Sequence, residues 1–168
     1  MACAASFFIH EQKYEWEVFM KLKLTRLKRR VPHLTITCDL PIFKPFINLL
    51  ANAIECHPKV FSITLNYSNP DYTAKSGGYR PVEIRLERKQ DNRWHICYVT
   101  EFTYIPTPFG HESTYAIDFD FSRGIGYQLG MTSEPIAAYG PLFSLWQRNF
   151  CRYHSYDTYQ CKISIEES

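Results

Sequence analysis

A chain of 168 residues is long enough to bury a core without disulfide or metal support, and its 45% hydrophobic and 21% charged content excludes a disordered chain. The net charge of +2 removes any global attraction to nucleic acid or an acidic membrane. Twelve Tyr, twelve Phe and three Trp form the compositional excess, and such rings fit the pleated surface of a sheet.

Residues 1–32 read as an N-terminal extension ahead of one domain over 33–168. Trp16, Val18, Met20, Leu22 and Leu24 alternate with Glu15, Glu17, Lys21 and Lys23, which fits a strand; the Glu, Lys, Leu and Met content fits a helix nearly as well. Lys21, Lys23, Arg26, Lys28, Arg29 and Arg30 follow one another with no acid between them. A basic run of this kind holds phosphate or keeps a flank soluble, and the second reading is the simpler. The opening MACAASFFIHEQ has no basic n-region and no long apolar core, so no signal peptide is expected. No stretch reaches the roughly 18 apolar residues of a membrane helix, and cytoplasmic residence without membrane contact is the expectation.

Asp39 offers a side-chain cap ahead of Leu40, Phe43, Phe46, Ile47, Leu50, Ala51 and Ile54, which line one face of a helix. Pro41 and Pro45 are tolerated only in a first turn, so the regular part begins near Pro45 and stops before His57-Pro58. From Phe61 the period changes to two: Phe61, Ile63, Leu65 and Tyr67 form a half-buried strand that ends at Asn69-Pro70-Asp71. Val82, Ile84 and Leu86 then pair through Gln90-Asp91-Asn92 with Trp94, Ile96, Tyr98, Thr100, Phe102 and Tyr104. Simple alternation leaves Glu83, Arg85, Glu87, His95, Cys97, Val99 and Glu101 on the opposite face. Tyr115, Ile117, Phe119 and Phe121 share the next strand face, opposite Asp118 and Asp120, and Ser122-Arg123-Gly124 turns into Ile125, Tyr127 and Leu129.

Ser133 or Pro141 starts a second helix, with Leu142, Leu145, Trp146, Asn149, Phe150 and Tyr153 as its apolar face. Tyr159, Cys161, Ile163 and Ile165 alternate as a last strand. The expected fold is α+β, with a mainly antiparallel meander of about five to six strands and two amphipathic helices packed on one face.

Catalytic patterns are sparse. Glu101, Asp118 and Asp120, with Glu112 nearby and His95 or His111 to assist, are the one set of acids resembling a hydrolase or metal site; solvated charge explains them as simply. Cys97 could be activated by His95, although residues two apart on a strand seldom meet correctly. Cys3, Cys38, Cys56, Cys97, Cys151 and Cys161 show no zinc-ligand spacing, and His10, His33, His57, His95, His111 and His154 show no H-E-x-x-H pattern, so no metal or cofactor is expected. Ser76-Gly77-Gly78-Tyr79 lacks the phosphate-loop pattern, and its glycines more simply permit positive φ. Tyr72, Gly77, Gly78, Tyr79 and Arg80, with Tyr104 and Phe109, form instead a candidate surface for a protein partner, because aromatic and Arg side chains anchor interfaces.

The run from Asn69 to Ala74, followed by Ser76-Gly77-Gly78-Tyr79-Arg80-Pro81-Val82-Glu83-Ile84-Arg85-Leu86-Glu87, resembles the signature of the bacterial family known as domain of unknown function 2787. The stretches Arg93 to Phe102, Ile117 to Phe121 and Leu145 to Phe150 agree with it, so that residues 40–166 are covered. The resemblance implies a cytoplasmic accessory or host-interaction protein of gammaproteobacteria, often carried by mobile genetic elements, and brings no catalytic residue. The chain departs from the family pattern at Gly140-Pro141, where helix formers are expected, and in its basic extension. The expected function is a non-enzymatic protein-interaction module with an unknown protein partner or a second copy as a homodimer; a metal-dependent hydrolase and a nucleic-acid binder through residues 21–30 are the alternatives.

Overall fold

A computed structural model describes residues 34–167; the basic run from Lys21 to Arg30, and the strand or helix expected around Trp16 to Leu24, lie outside the described residues. Eight strands form one sheet: β1 (Ile36–Thr37), β2 (Val60–Ser68), β3 (Val82–Arg88), β4 (Trp94–Thr107), β5 (Gly110–Asp120), β6 (Ile125–Gln128), β7 (Glu134–Pro135) and β8 (Gln160–Glu167). Consecutive strands from β2 to β7 are antiparallel neighbours, β8 returns beside β2, and β1 pairs in parallel with the first residues of β4. The meander and the α+β class agree with expectation; the strand number does not. The excess over five to six comes mainly from β1 and β7, two residues each, too short to show an alternation and held by their neighbours rather than by their own pattern.

Helices α1 (Lys44–Glu55) and α2 (Gly140–Ser155) pack on the same face, where Phe46 meets Phe143, Trp146 and Phe150 edge-on with ring centroids 6.4, 5.8 and 6.0 Å apart. Phe119 of β5 reaches Phe143 at 4.9 Å, and Tyr67 of β2 reaches Phe150 at 5.0 Å, so rings bind helix to sheet. As the prolines require, α1 begins beside Pro45, but Asp39 does not cap it. The N-cap is Phe43, whose amide N–H is taken by Gln147 Oε1 of α2 at 2.7 Å, while Gln147 Nε2–H donates to Pro41 O at 3.1 Å. Gln147 is 1% exposed, and this pair of bonds satisfies its amide inside the core. Nor does Ser133 cap α2: a 3-10 turn over Ile136–Tyr139 leads into Gly140, with Pro141 in the first helical turn where its missing N–H costs nothing. Tyr139 packs its ring flat against β6, and a Cβ at Gly126 would meet Tyr139 Cδ2 at 2.3 Å.

Three β-bulges decide which side chains face the helices. Cys97 is an extra residue in β4 opposite Arg85 and Leu86 of β3; Ala116 is extra in β5 opposite Glu101 and Phe102; Phe61 is extra in β2 opposite β8. Each bulge shifts the alternation by one residue. Past Cys97, therefore, Val99 and Glu101 point to the helix side, and Tyr98 and Thr100 to the other, the reverse of simple alternation. Tyr115 likewise leaves the face of Ile117 and Phe119, lies 51% exposed and packs against Phe102 at 5.6 Å. Phe61, expected beside Ile63, is 48% exposed.

Candidate functional site

The helix-side turn of Glu101 creates the most distinctive group in the molecule. A carboxylate in the middle of β4 on an otherwise apolar face needs donors, because an unpaired buried charge costs several kcal/mol. It has two. Trp146 Nε1–H of α2 donates to Oε2 at 2.9 Å, and Arg80, from the loop before β3, donates to Oε1 at 3.1 Å. The Glu101 side chain keeps 18% of its exposure and Arg80 keeps 46%, so the pair is open to solvent along one side.

That open side is a cleft of about 540 Å³. Its walls are Gly78, Tyr79 and Arg80 from the loop before β3, the α2 face of Leu142, Leu145, Trp146, Asn149, Phe150 and Tyr153, and Tyr159 just before β8; Glu101 and Ile117 lie along the sheet side. The α2 wall is the helix face that sequence periodicity assigns to the core. The buried stripe is instead Phe143, Trp146, Gln147 and Phe150, while Leu145 is 57% exposed. The helix carries two apolar stripes sharing Trp146 and Phe150, and only one meets the sheet squarely. Tyr79 packs on Tyr153 at 4.9 Å and on Tyr159 at 6.2 Å, forming an aromatic corner. Burial raises the Tyr159 phenol well above its usual range, with the Glu101 charge adding to it, so this hydroxyl stays neutral and remains a donor.

The cleft contains Gly78, Tyr79, Arg80 and Glu101 from the residues singled out in the sequence, but not the others. Gly77 shapes the preceding turn at φ +65°, its N–H donating to Thr73 O at 2.9 Å. Tyr72 stacks on Tyr104 at 5.7 Å and donates its hydroxyl proton to Thr103 Oγ1 at 3.3 Å. Phe109 is 98% exposed at the tip of the β4–β5 hairpin, which runs past β3 and β6 as a two-stranded arm.

Asp118 and Asp120 lie across the sheet from Glu101. Asp118 Oδ1 accepts from Thr100 Oγ1 at 2.5 Å, and Asp120 Oδ1 accepts from the Arg123 N–H at 2.8 Å. Burial raises the Asp118 carboxyl, with Asp120 adding to the rise and Thr100 opposing it. His95 pairs opposite Glu87 near the start of β4, and His111 is exposed on the arm. The Cys97 thiol is raised by burial and by Glu87, and its Sγ–H points to the His95 backbone carbonyl rather than to the imidazole. Among the described residues no group of three or more His, Cys, Asp and Glu is placed to hold a metal ion. No described helix is long and apolar enough to cross a membrane.

The residues that sequence reasoning missed are Leu142, Leu145, Trp146, Asn149, Tyr153 and Tyr159 as a lining, although all but Tyr159 were visible as one helical stripe. What joins them is that the four stretches of family resemblance meet here: the Gly-Gly-Tyr-Arg loop, Glu101, Ile117, and Leu145 to Phe150.

No curated protein matches the chain. Two solved structures from Vibrio cholerae share its fold. One is a conserved hypothetical protein from pathogenicity island VPI-2, described as sharing structural homology with the human P32 protein; it is 34% identical, with a TM-score of 0.68 over 77% of this chain and 98% of that one. The other, a hypothetical protein from the VSP-II pathogenicity island, is 27% identical, with a TM-score of 0.72 over 80% of this chain and 100% of that one. Residues 44–165, which include every wall of the cleft, match the family described as protein of unknown function (DUF2787), and it is to this family that the chain belongs.

Proposed function

We propose that the chain is a protein-interaction module whose cleft seats an apolar side chain of a partner protein beside the Arg80–Glu101 pair. The observation that carries this reading is the convergence of all four family-like stretches on one aromatic cleft. Physical chemistry supports it in two ways. Tyr79, Trp146, Tyr153 and Tyr159 offer large rigid surfaces at small entropy cost, and Leu145 stands 57% exposed on the wall. The ion pair gives the cleft a fixed donor and a fixed acceptor, which orient a partner's backbone rather than merely attract it. Phe109 on the arm is a second anchor for the same partner. A cytoplasmic accessory role for a mobile element accords with the pathogenicity-island origin of the two similar Vibrio proteins.

The test is a displayed peptide library selected against the full chain, with binding followed through the Trp146 indole N–H resonance. Selected peptides shift that resonance and lose at least about tenfold affinity for Leu145→Asp, a change at an exposed position that leaves the fold intact. Peptides that bind Leu145→Asp as well as they bind the original chain would place recognition elsewhere and sink the proposal.

A further inference from the structure

The two ends of the sheet differ in a way the cleft does not explain. At one end β7 has two residues, one of them Pro135, which is how a sheet edge is ordinarily blunted. At the other end β8 runs for eight residues without proline, with β2 as its one neighbour among the described residues. Every side chain from Gln160 to Glu166 is exposed, and every second residue turns its backbone N–H and C=O outward.

The side chains along this edge are complementary to themselves. Register with β2 places Cys161, Ile163 and Ile165 on the helix side, opposite Tyr67, Leu65 and Ile63, and places Lys162, Ser164 and Glu166 on the other side. Ile163 and Ile165 are 38% and 43% exposed. Lys162 makes no ion pair among the described residues, and Glu166, held by Arg85 at 2.9 Å and Ser62 at 2.8 Å, keeps 61% of its side-chain exposure. A two-fold axis through Ser164 sets a second β8 antiparallel to the first. Lys162 then faces Glu166 of the second copy, and Ile163 faces Ile165, each contact occurring twice. Slipping the register by two residues either way loses the Lys–Glu pairs, and slipping it by one opposes the two faces of the sheet.

We infer that β8 is a self-association edge, through which two copies of this chain join their sheets about a two-fold axis at Ser164. The partner is a second copy because the pattern is its own complement, as an isologous interface requires. A contact of one strand with one strand is small, so the dimer is concentration-dependent rather than obligate.

Sedimentation of the full chain across concentration measures it. A monomer–dimer equilibrium is expected, weakened about tenfold by Lys162→Glu, which turns two attractive cross-strand pairs into repulsive ones, and restored by the double change Lys162→Glu with Glu166→Lys. Ser164→Cys, at an exposed position, provides a test independent of the Arg85 contact. In this register the Cα of residue 164 lies about 4.5 to 5.5 Å from its counterpart in the second copy, within reach of a disulfide. Mild oxidation therefore links the two introduced thiols to each other, while native Cys161, opposite Glu167, stays unlinked. A chain that stays monomeric at millimolar concentration, a Lys162→Glu variant that dimerises as the original does, or a dimer linked through Cys161 would each overturn the inference.

Discussion

On the helix side of the sheet, Phe46, Phe119, Phe143 and Phe150 fill space against Ile63, Leu65, Ile84 and Val99; on the other side Arg85, Glu83, Glu87, Tyr98, Thr100 and Asp118 satisfy one another's polar groups. The first face is stabilised by area and fit, the second by direction. Arg85 alone reaches Thr64, Glu87 and Glu166 across three strands. Among the described residues no buried side-chain nitrogen or oxygen lacks a partner. The contrast teaches that the centre of the bare face is closed chemically though open sterically: the acids and donors around Arg85 are already engaged. The two chemistries mix in the cleft, where Glu101 stands among rings.

If the helix face depends on volume, Phe46→Ala should be the most damaging single change, costing about 3 to 5 kcal/mol in denaturant unfolding because the ring contacts three others and lies fully buried. Gly126→Ala sharpens the same point by adding volume. Its Cβ would enter the Tyr139 ring, and a loss of about 2 kcal/mol is expected, relieved when Tyr139→Ala is added. On the polar face, Tyr98→Phe removes the hydroxyl that donates to Glu83 at 2.8 Å; about 1 kcal/mol should be lost with the core intact, as near-ultraviolet circular dichroism would show.

Asp118→Asn should act in the opposite direction. Burial raises the folded-state carboxyl above its unfolded value, so ionised Asp118 costs stability above that raised pKa, and the cost fades as pH falls toward the unfolded pKa of about 3.9. The amide keeps an acceptor for Thr100 without the charge; a gain below about 0.5 kcal/mol is expected at pH 7, shrinking toward pH 4 in thermal unfolding. A gain independent of pH would remove the electrostatic account.

Elements that depend on their own residues were legible in the sequence. The alternation of Ile63, Leu65 and Tyr67, the start of α1 near Pro45 and the return of β8 through Ile163 and Ile165 each follow from local periodicity or from proline geometry. Features that depend on a neighbour were not. Whether Cys97 is in phase with Ile96 or is extra depends on β3, and whether Leu145 is core or wall depends on where α2 meets the sheet. The cleft was half visible for the same reason: its stretches could be recognised one by one, but their meeting is a property of the packing.

The bulge at Cys97 gives the strand a punctuation that chemistry alone would not supply. Along a strand, inside and outside are assigned by counting from the last fixed point, as codons are, and Cys97 resets the count. Removing that one residue would leave every downstream side chain its identity but exchange its address. Thr100 and Phe102 would turn toward the helices, and Glu101 would leave Trp146 for the opposite face. The carboxylate of the cleft therefore owes its position to an inserted residue four places upstream, and the sequence of β4 has meaning only when read in that frame.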